Sequence, residues 1–127
     1  MRRRREREEL LKILYEIDLK DSWDELRRGD GGYVSSTLNG IREKRKELDD
    51  ILSRFSKDWP LERMAVIDRN ILRIALYEML YVPDVPPKVS INEAVELAKK
   101  YGDKDSYRFI NGILDRIFKE KMGGEGK

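Results

Sequence analysis

The sequence predicts an all-α protein with a single domain. Apolar residues recur at helical spacing along almost the whole length of 127 residues, whereas the alternating pattern that is typical of strands is rare. Glycine and proline concentrate between the periodic segments, where they mark the ends of helices. A chain of this length can bury roughly two-thirds of the surface that its unfolded form exposes, which is enough for stability without cross-links.

The composition excludes several classes of chemistry. The chain contains no cysteine and no histidine, which excludes disulfide frameworks, Cys/His zinc sites and acid–base catalysis by histidine. Neighbouring carboxylates such as Asp49 and Asp50 do not face each other on a helix, and the spacing of a metal-binding loop does not occur. We therefore expect a protein that is not an enzyme and needs no cofactor or metal.

Basic charge is concentrated at the start of the chain. Charged residues make up 41% of the sequence, yet the net charge is only +2. The first seven residues hold five arginines: Arg2, Arg3, Arg4, Arg5 and Arg7. The segment that follows is too charged for a signal peptide, and no apolar stretch approaches the about 20 residues of a membrane span. We therefore expect a cytoplasmic protein with a local basic patch.

Three segments are predicted in the N-terminal half. A first helix over residues 3–20 is indicated by an apolar stripe that consists of Leu10, Leu11, Ile13, Leu14 and Ile17. A short helix over residues 22–28 and a glycine-rich break over residues 29–32 follow. From about Tyr33, apolar residues at intervals of three, four or seven predict an amphipathic helix of about six turns.

The next helix is predicted to lie at the centre of the core. Trp59 and Pro60 mark its start, because proline is favoured in the first turn of a helix. Residues 61–81 carry apolar side chains on more than one face, which is typical of a buried helix. Three prolines within residues 82–87 exclude a continuous helix there.

Two further helices complete the prediction. Ser90 and Glu93 have the spacing of a capping box, which predicts a helix that begins at the serine. Gly102 ends this helix, and the last helix begins directly after the turn. Within that last helix, Asn111 and Gly112 interrupt an apolar pattern. Since glycine costs about 1 kcal/mol in a helix relative to alanine, we expect a close helix–helix crossing at Gly112, with Asn111 bonded to a neighbouring backbone.

The N-terminal arginines are the first candidate for nucleic-acid binding. Guanidinium groups bind phosphates through charge and through forked donors. The alternative is a disordered terminus that only increases solubility. If the first helix extends back to Arg3, the arginines continue its polar side and form a partly ordered basic arm.

The turn before the last helix is the second candidate. Phe109 could stack on an unpaired RNA base, or it could belong to the core. Lys104 and Arg108 lie close to it in sequence and would supply phosphate contacts. Asp105 could cap the helix, or its carboxylate could accept a hydrogen bond from a base amino group.

Tyr15 and Glu78 are candidates for contact with a protein partner. For Tyr15 the alternative is a half-buried position at the edge of the core. For Glu78, which lies near the end of the central helix, the alternative is an ordinary surface charge. The residues alone favour both alternatives.

Two blocks of sequence resemble one known family. The first is DRNILRIALYEM at residues 68–79, and the second runs over residues 85–116 and includes INEAVELAKKYG and FINGILD. The arginine-rich start, followed by Tyr15 and Asp18, fits as well. From Arg2 to about Lys119 the chain resembles the NusB family of bacterial transcription antitermination factors.

The resemblance implies a fold and a function. The expected fold has about six to seven helices in two packed subdomains, an N-terminal bundle over about 1–57 and a C-terminal bundle over about 58–122, with a flexible tail over 123–127. The expected function is not enzymatic. NusB-like proteins pair with the ribosomal protein NusE and bind the single-stranded boxA element of nascent ribosomal RNA. With NusA, NusG and RNA polymerase they suppress premature termination.

The resemblance also assigns roles to residues. RNA contact is implied for the arginine-rich arm and for Asp105 and Phe109, and NusE contact is implied for Tyr15 and Glu78. The segment between Asp18 and Tyr33 is shorter than is usual in the family, in a region that lies near the NusE-facing surface. Two alternatives stay open: an accessory RNA-binding module of an RNA methyltransferase system, and a self-associating helical protein, possible as a homodimer, that has lost NusE binding.

Overall fold

The computed structural model describes residues 2–24 and 32–123 and contains no strand within them. Five α-helices lie in these residues: α1 (Arg2–Lys20), α2 (Tyr33–Phe55), α3 (Val66–Tyr81), α4 (Pro87–Tyr101) and α5 (Ser106–Lys121). A single 3₁₀ turn, Leu61–Arg63, precedes α3. The all-α prediction is confirmed, and the expected six to seven helices is a slight overcount for the part of the chain that is described.

The predicted segment between α1 and α2 lies mostly outside the described residues. Residues 22–24 are not helical, and the remainder of the predicted short helix and most of the glycine-rich break fall within residues 25–31, for which no structure is given. The predicted tail also falls outside, apart from residue 123. None of the helices in the described residues is both long and apolar enough to cross a membrane.

The helix α3 is the centre of the fold, as the sequence predicts. It packs against α1, α2, α4 and α5, while α1 also packs against α2 and α4 against α5. One apolar cluster extends from Leu10 on α1 to Ile117 on α5. A helix that contacts neighbours on all sides needs apolar residues around most of its circumference, which is why its sequence pattern is not amphipathic.

A buried polar network joins the first three helices. Asp18 on α1 accepts hydrogen bonds from Arg69 Nε (2.7 Å), Asn70 Nδ2 (2.8 Å) and Arg73 Nη1 (2.8 Å), all on α3. Arg73 also donates twice to Asp49 on α2, at 2.8 and 2.9 Å. Burial opposes ionisation of Asp18, but hydrogen bonding from Arg69 and the charge of Arg73 outweigh burial and lower the pKa of this carboxyl.

Two helix starts differ from the prediction. Residues 61–63 form a 3₁₀ turn, and α3 begins only at Val66. Pro60 therefore precedes the 3₁₀ turn and does not begin the helix. The capping box at Ser90 is wrong, because α4 already begins at Pro87 and Ser90 lies inside it. Proline at the first helical position has a pre-set φ and lacks only an N–H that would find no helical partner, so it replaces the cap.

The close contact between helices occurs at a different glycine from the one that the sequence predicts. The crossing at Gly112 is wrong, since a Cβ there would meet only Arg116 Nη1 at 4.0 Å and Asn111 is exposed. The close approach occurs instead at Gly40 on α2, where a Cβ would lie 2.0 Å from the Tyr77 hydroxyl. Gly102 ends α4 as predicted, and a Cβ there would lie 2.6 Å from the Ser106 side chain.

Candidate nucleic-acid interface

The arginine-rich start is an ordered helical arm. Helix α1 begins at Arg2, so the arm formed by residues 2–5 is the exposed first turn of a long helix. The side chain of Arg2 is 89% exposed. Arg3 lies over the Tyr33 ring at 4.3 Å, and Arg4 donates to Glu93 on α4 at 3.0 and 2.9 Å. Packing against neighbouring helices therefore fixes the direction of this basic arm.

Arg7, predicted for RNA contact, and Glu78, predicted for NusE contact, do not lie on the surface. Their side chains are 6% and 1% exposed, and Arg7 donates to the two carboxylate oxygens of Glu78 at 2.9 and 3.1 Å. Glu78 also accepts hydrogen bonds from the Tyr33 hydroxyl and from Ser90 Oγ at 2.7 Å. The surface charge that the sequence favours for Glu78 is thus wrong, because a complete set of donors compensates its burial.

The charge of Glu78 shifts the pKa values of two groups that contact it, Arg7 and Tyr33. Burial opposes the charged form of Arg7, but hydrogen bonding and attraction from Glu78 raise the pKa of the guanidinium. Burial and the Glu78 charge raise the pKa of the Tyr33 phenol, so Tyr33 stays a neutral donor. The pair therefore anchors the start of α1 to the core and leaves the arm residues 2–5 on the surface.

Tyr15 lies further along α1. Its side chain is half-buried, so it is neither part of the core nor fully exposed. Because Glu78 is enclosed by Arg7, Tyr33 and Ser90, the two residues predicted to face one partner differ in accessibility. Tyr15 presents part of its ring at the surface, and Glu78 does not.

The turn between α4 and α5 displays charged side chains. Lys104, Asp105 and Arg108 are exposed, and Arg108 Nη1 lies 3.4 Å from Asp105 Oδ1. The side chain of Asp105 makes no capping hydrogen bond. Asp103 organises the turn instead, since its Oδ1 accepts hydrogen bonds from Asp105 N at 3.0 Å and from Ser106 Oγ at 3.2 Å. The capping interpretation of Asp105 is therefore wrong, and its carboxylate faces solvent.

Phe109 lies between the core and the surface. It is half-buried and packs against the apolar cluster, so each of its two predicted placements is partly correct. It also lines two clefts. One has a volume of about 640 Å³ and the other about 370 Å³.

Trp59 is a surface residue, for which the sequence predicts only a helix boundary. Its indole is 48% exposed, and it lines the same two clefts as Phe109. A tryptophan beside a proline in a charged segment was the available signal, because such a residue has few apolar neighbours in sequence with which to form a core.

Helix α4 connects the arm to the turn. Near its middle, Glu93 pairs with Arg4, and near its end Lys100 Nζ lies 2.9 Å from Glu8 of α1. Lys99 lies 5.3 Å from the centroid of the Tyr107 ring on α5. The arm, the end of α4 and the turn therefore form one continuous charged surface across three helices.

The fold and this surface define the class: an all-helical nucleic-acid-binding protein. Comparison with known proteins agrees. A statistical model of the NusB family matches residues 4–119. The transcription antitermination protein NusB of Desulfosudis oleivorans is 43% identical over 97% of this chain and 89% of its own length. The NusB of Syntrophomonas wolfei is 39% identical over 97% of this chain and all of its own length.

Solved structures are similar as well. A crystal structure of T. maritima NusB superposes with a TM-score of 0.82 at 40% identity and covers 93% of this chain and 91% of that one. A chain in a structure described as a plectonemic RNA supercoil gives a TM-score of 0.83 at 25% identity, with 98% and 100% covered. The chain belongs to the NusB family. Its function is transcription antitermination, and it is not an enzyme.

Proposed function

We propose that the protein pairs with the ribosomal protein NusE and binds the single-stranded boxA element of nascent ribosomal RNA in the cytoplasm. It then joins NusA, NusG and RNA polymerase in a complex that suppresses premature termination. Family membership supports this proposal. The observation that carries it is the continuous surface from the arm through the end of α4 to the turn before α5.

The RNA face has two functional parts. Arm residues Arg2, Arg3, Arg4 and Arg5 supply positive charge for phosphates, which is the part of RNA binding that depends on salt. At the turn, Lys104 and Arg108 are placed for further phosphate contacts, while Phe109 offers a ring for stacking and Asp105 an acceptor for base amino groups. Phosphate contacts set the register of the strand, the ring adds stacking that any base can use, and the carboxylate selects among bases.

The buried pair Arg7–Glu78 supports the proposed RNA interface from inside the fold. Arg7 and Glu78 hold the start of α1 against α3. Hydrogen bonds from Tyr33 on α2 and Ser90 on α4 attach these two helices to the same carboxylate. In this proposal Arg7 and Glu78 are positioning residues for the RNA and NusE surfaces, and Tyr15 makes the direct contact with NusE. The two subdomains proposed from the sequence, about 1–57 and 58–122, meet at α3.

The test is the binding of a labelled boxA-like RNA, measured by fluorescence anisotropy with and without NusE. A scrambled RNA of the same length and composition is the control. We expect a preference for boxA that NusE strengthens. Equal affinity for the two RNAs, unchanged by NusE, would contradict the proposal.

A further inference from the structure

Two clefts meet at Trp59 and Phe109, and they carry opposite charge. The larger, which we call the basic cleft, has three cations against two carboxylates among its lining residues: Arg54, Lys57, Arg116, Asp58 and Glu120. The smaller, which we call the acidic cleft, has four carboxylates against one cation: Asp58, Asp68, Asp103, Asp105 and Arg63. The two aromatic rings therefore lie on a boundary between positive and negative surface.

Asp68 is unusual within the acidic cleft. It is only 9% exposed, and its Oδ1 has no hydrogen-bond partner among the described residues. Burial raises the pKa of this carboxyl, and although a hydrogen bond from the Ser106 side chain opposes the effect, the nearby Asp103 adds to it. A buried acceptor without a donor destabilises a folded protein, so this oxygen keeps an unused capacity to accept a hydrogen bond beside the acidic cleft.

The charge boundary determines how an RNA strand can lie. Phosphates are attracted to the basic cleft and repelled by the acidic cleft. A strand that crosses Trp59 and Phe109 therefore directs its backbone to the basic side and a base edge to the acidic side. The acidic cleft holds about 370 Å³, within the range of about 300–1,000 Å³ that is typical of small-ligand sites. At C4 of a pyrimidine, the amino group of cytosine can donate to a carboxylate, whereas the carbonyl of uracil cannot.

We propose that Trp59 and Phe109 together form a platform on which RNA bases stack, and that Asp68 in the acidic cleft selects a base with an exocyclic amino group. This inference rests on the proposed RNA-binding function and adds two residues to it. Trp59 contributes stacking that every base can use. Asp68 contributes discrimination between bases, because an amino group at the base position that enters the acidic cleft can donate to its buried oxygen and a carbonyl at that position cannot.

Tryptophan emission tests the platform directly. The chain has two tryptophans, and Trp23 is only 6% exposed. Trp23→Phe leaves Trp59 as the single emitting indole. We expect RNA to quench its emission with the same Kd that anisotropy reports. RNA binding by anisotropy with unchanged emission would overturn the platform alone, whereas no RNA binding by the wild-type protein would overturn the proposed function as well. Quenching by NusE and not by RNA would make the cleft a protein interface and would also overturn the platform.

Trp59→Ala measures how much the Trp59 ring contributes to RNA affinity. Loss of one stacked base weakens RNA binding by roughly five- to a hundredfold. Leu19→Ala is the control, because Leu19 is a large apolar residue that is 60% exposed on α1. Both substitutions are on the surface, so both variants are expected to fold. Equal affinity of Trp59→Ala and wild type would contradict the stacking role.

Asp68→Asn tests base selection. Short oligo(rC) and oligo(rU) differ at C4, where cytosine has an amino group and uracil a carbonyl, and at N3, where only uracil carries a proton. We expect the wild-type protein to prefer oligo(rC) by roughly fivefold, as for one net hydrogen bond. Asparagine keeps the size of aspartate but can donate as well as accept, so the preference should fall. A wild-type protein without this preference, or a variant that keeps it in full, would overturn the role of Asp68.

Discussion

At the scale of single residues, Glu78 connects more of the fold than any charge on the surface could. Its carboxylate accepts hydrogen bonds from Arg7 on α1, Tyr33 on α2 and Ser90 on α4. A buried charge is tolerated only when donors satisfy it, and the loss of one partner leaves the other charge exposed to an apolar environment. The residue therefore has a structural function that its neighbours in sequence do not indicate.

Glu78→Gln should destabilise the protein by about 3 kcal/mol, the lower end for breaking a buried ion pair. Glutamine has nearly the shape of glutamate but removes the buried charge that pairs with Arg7, and leaves only the more distant Glu93, 3.9 Å away. The free energy of unfolding is measured by urea denaturation. Glu96→Gln is the matched control, because Glu96 is half-exposed and lies 4.0 Å from Lys99, and such pairs contribute little. Equal stability of the two variants would contradict this role for Glu78.

Phe109→Ala should weaken boxA RNA binding by about 1–3 kcal/mol if one base stacks on the ring. Phe118 on the same helix is also half-buried but does not line either cleft. Phe118→Ala therefore controls for the general loss of an aromatic side chain from α5. Anisotropy with both variants separates stacking from packing, and an unchanged Kd for Phe109→Ala would exclude the stacking role.

At the scale of elements, α1 is attached to the core at both ends. Arg7 pairs with Glu78 near its start, and Asp18 pairs with Arg69 and Arg73 near its end. Between these two attachments the apolar stripe packs into the core. The arm can project its arginines into solvent because these contacts, and not the arm itself, fix the direction of the helix.

Asp18→Asn should destabilise the protein by about 3 kcal/mol at pH 7, because it removes the negative charge that pairs with the buried Arg73 and the partly buried Arg69. The pKa of Asp18 lies below its ordinary value of 3.8. Its contribution to stability is therefore complete above that value and is lost as the pH falls through the lower, folded-state pKa. Denaturant unfolding from pH 7 to pH 3 should show the difference between wild type and variant shrinking in acid. The exposed Asp50, changed to Asn, should show no such difference at pH 7.

At the scale of the whole molecule, charge is distributed so that a small net charge coexists with a basic face. The net charge is +2, yet the arm, Lys99, Lys100 and the turn before α5 lie on connected helices. Local positive charge attracts RNA phosphates, and a low net charge limits binding elsewhere on the surface. The position of a cation therefore matters more than the total number of cations.

The salt dependence of RNA binding tests this distribution. Arg2→Gln with Arg5→Gln should reduce the slope of log Kd against log salt by about 1.4, since each lost phosphate contact on a single strand removes about 0.7. Lys44→Gln with Lys46→Gln on α2 removes the same net charge from exposed positions outside the proposed interface. If both double variants lower the slope equally, the RNA does not use the arm specifically.

The sequence by itself determined the class of fold, because helical periodicity is a local property. The bounds of α1 and α2, the central place of α3 and the end of α4 at Gly102 all follow from apolar spacing and from turn residues. The candidates for RNA binding at the arm and at Phe109 could also be predicted, since a basic cluster and an aromatic ring in a polar turn are recognisable in the sequence.

Only the tertiary structure decided which charged residues are buried and which aromatic rings are exposed. Glu78 and Arg7 look like surface charges until α1 meets α3, and Trp59 looks like a helix boundary until Phe109 of α5 appears on the same two clefts. Such partners are far apart in sequence, and burial depends on contacts that periodicity does not specify. The pattern of the chain therefore determines its helices, and the packing of those helices determines which side chains are left at the surface.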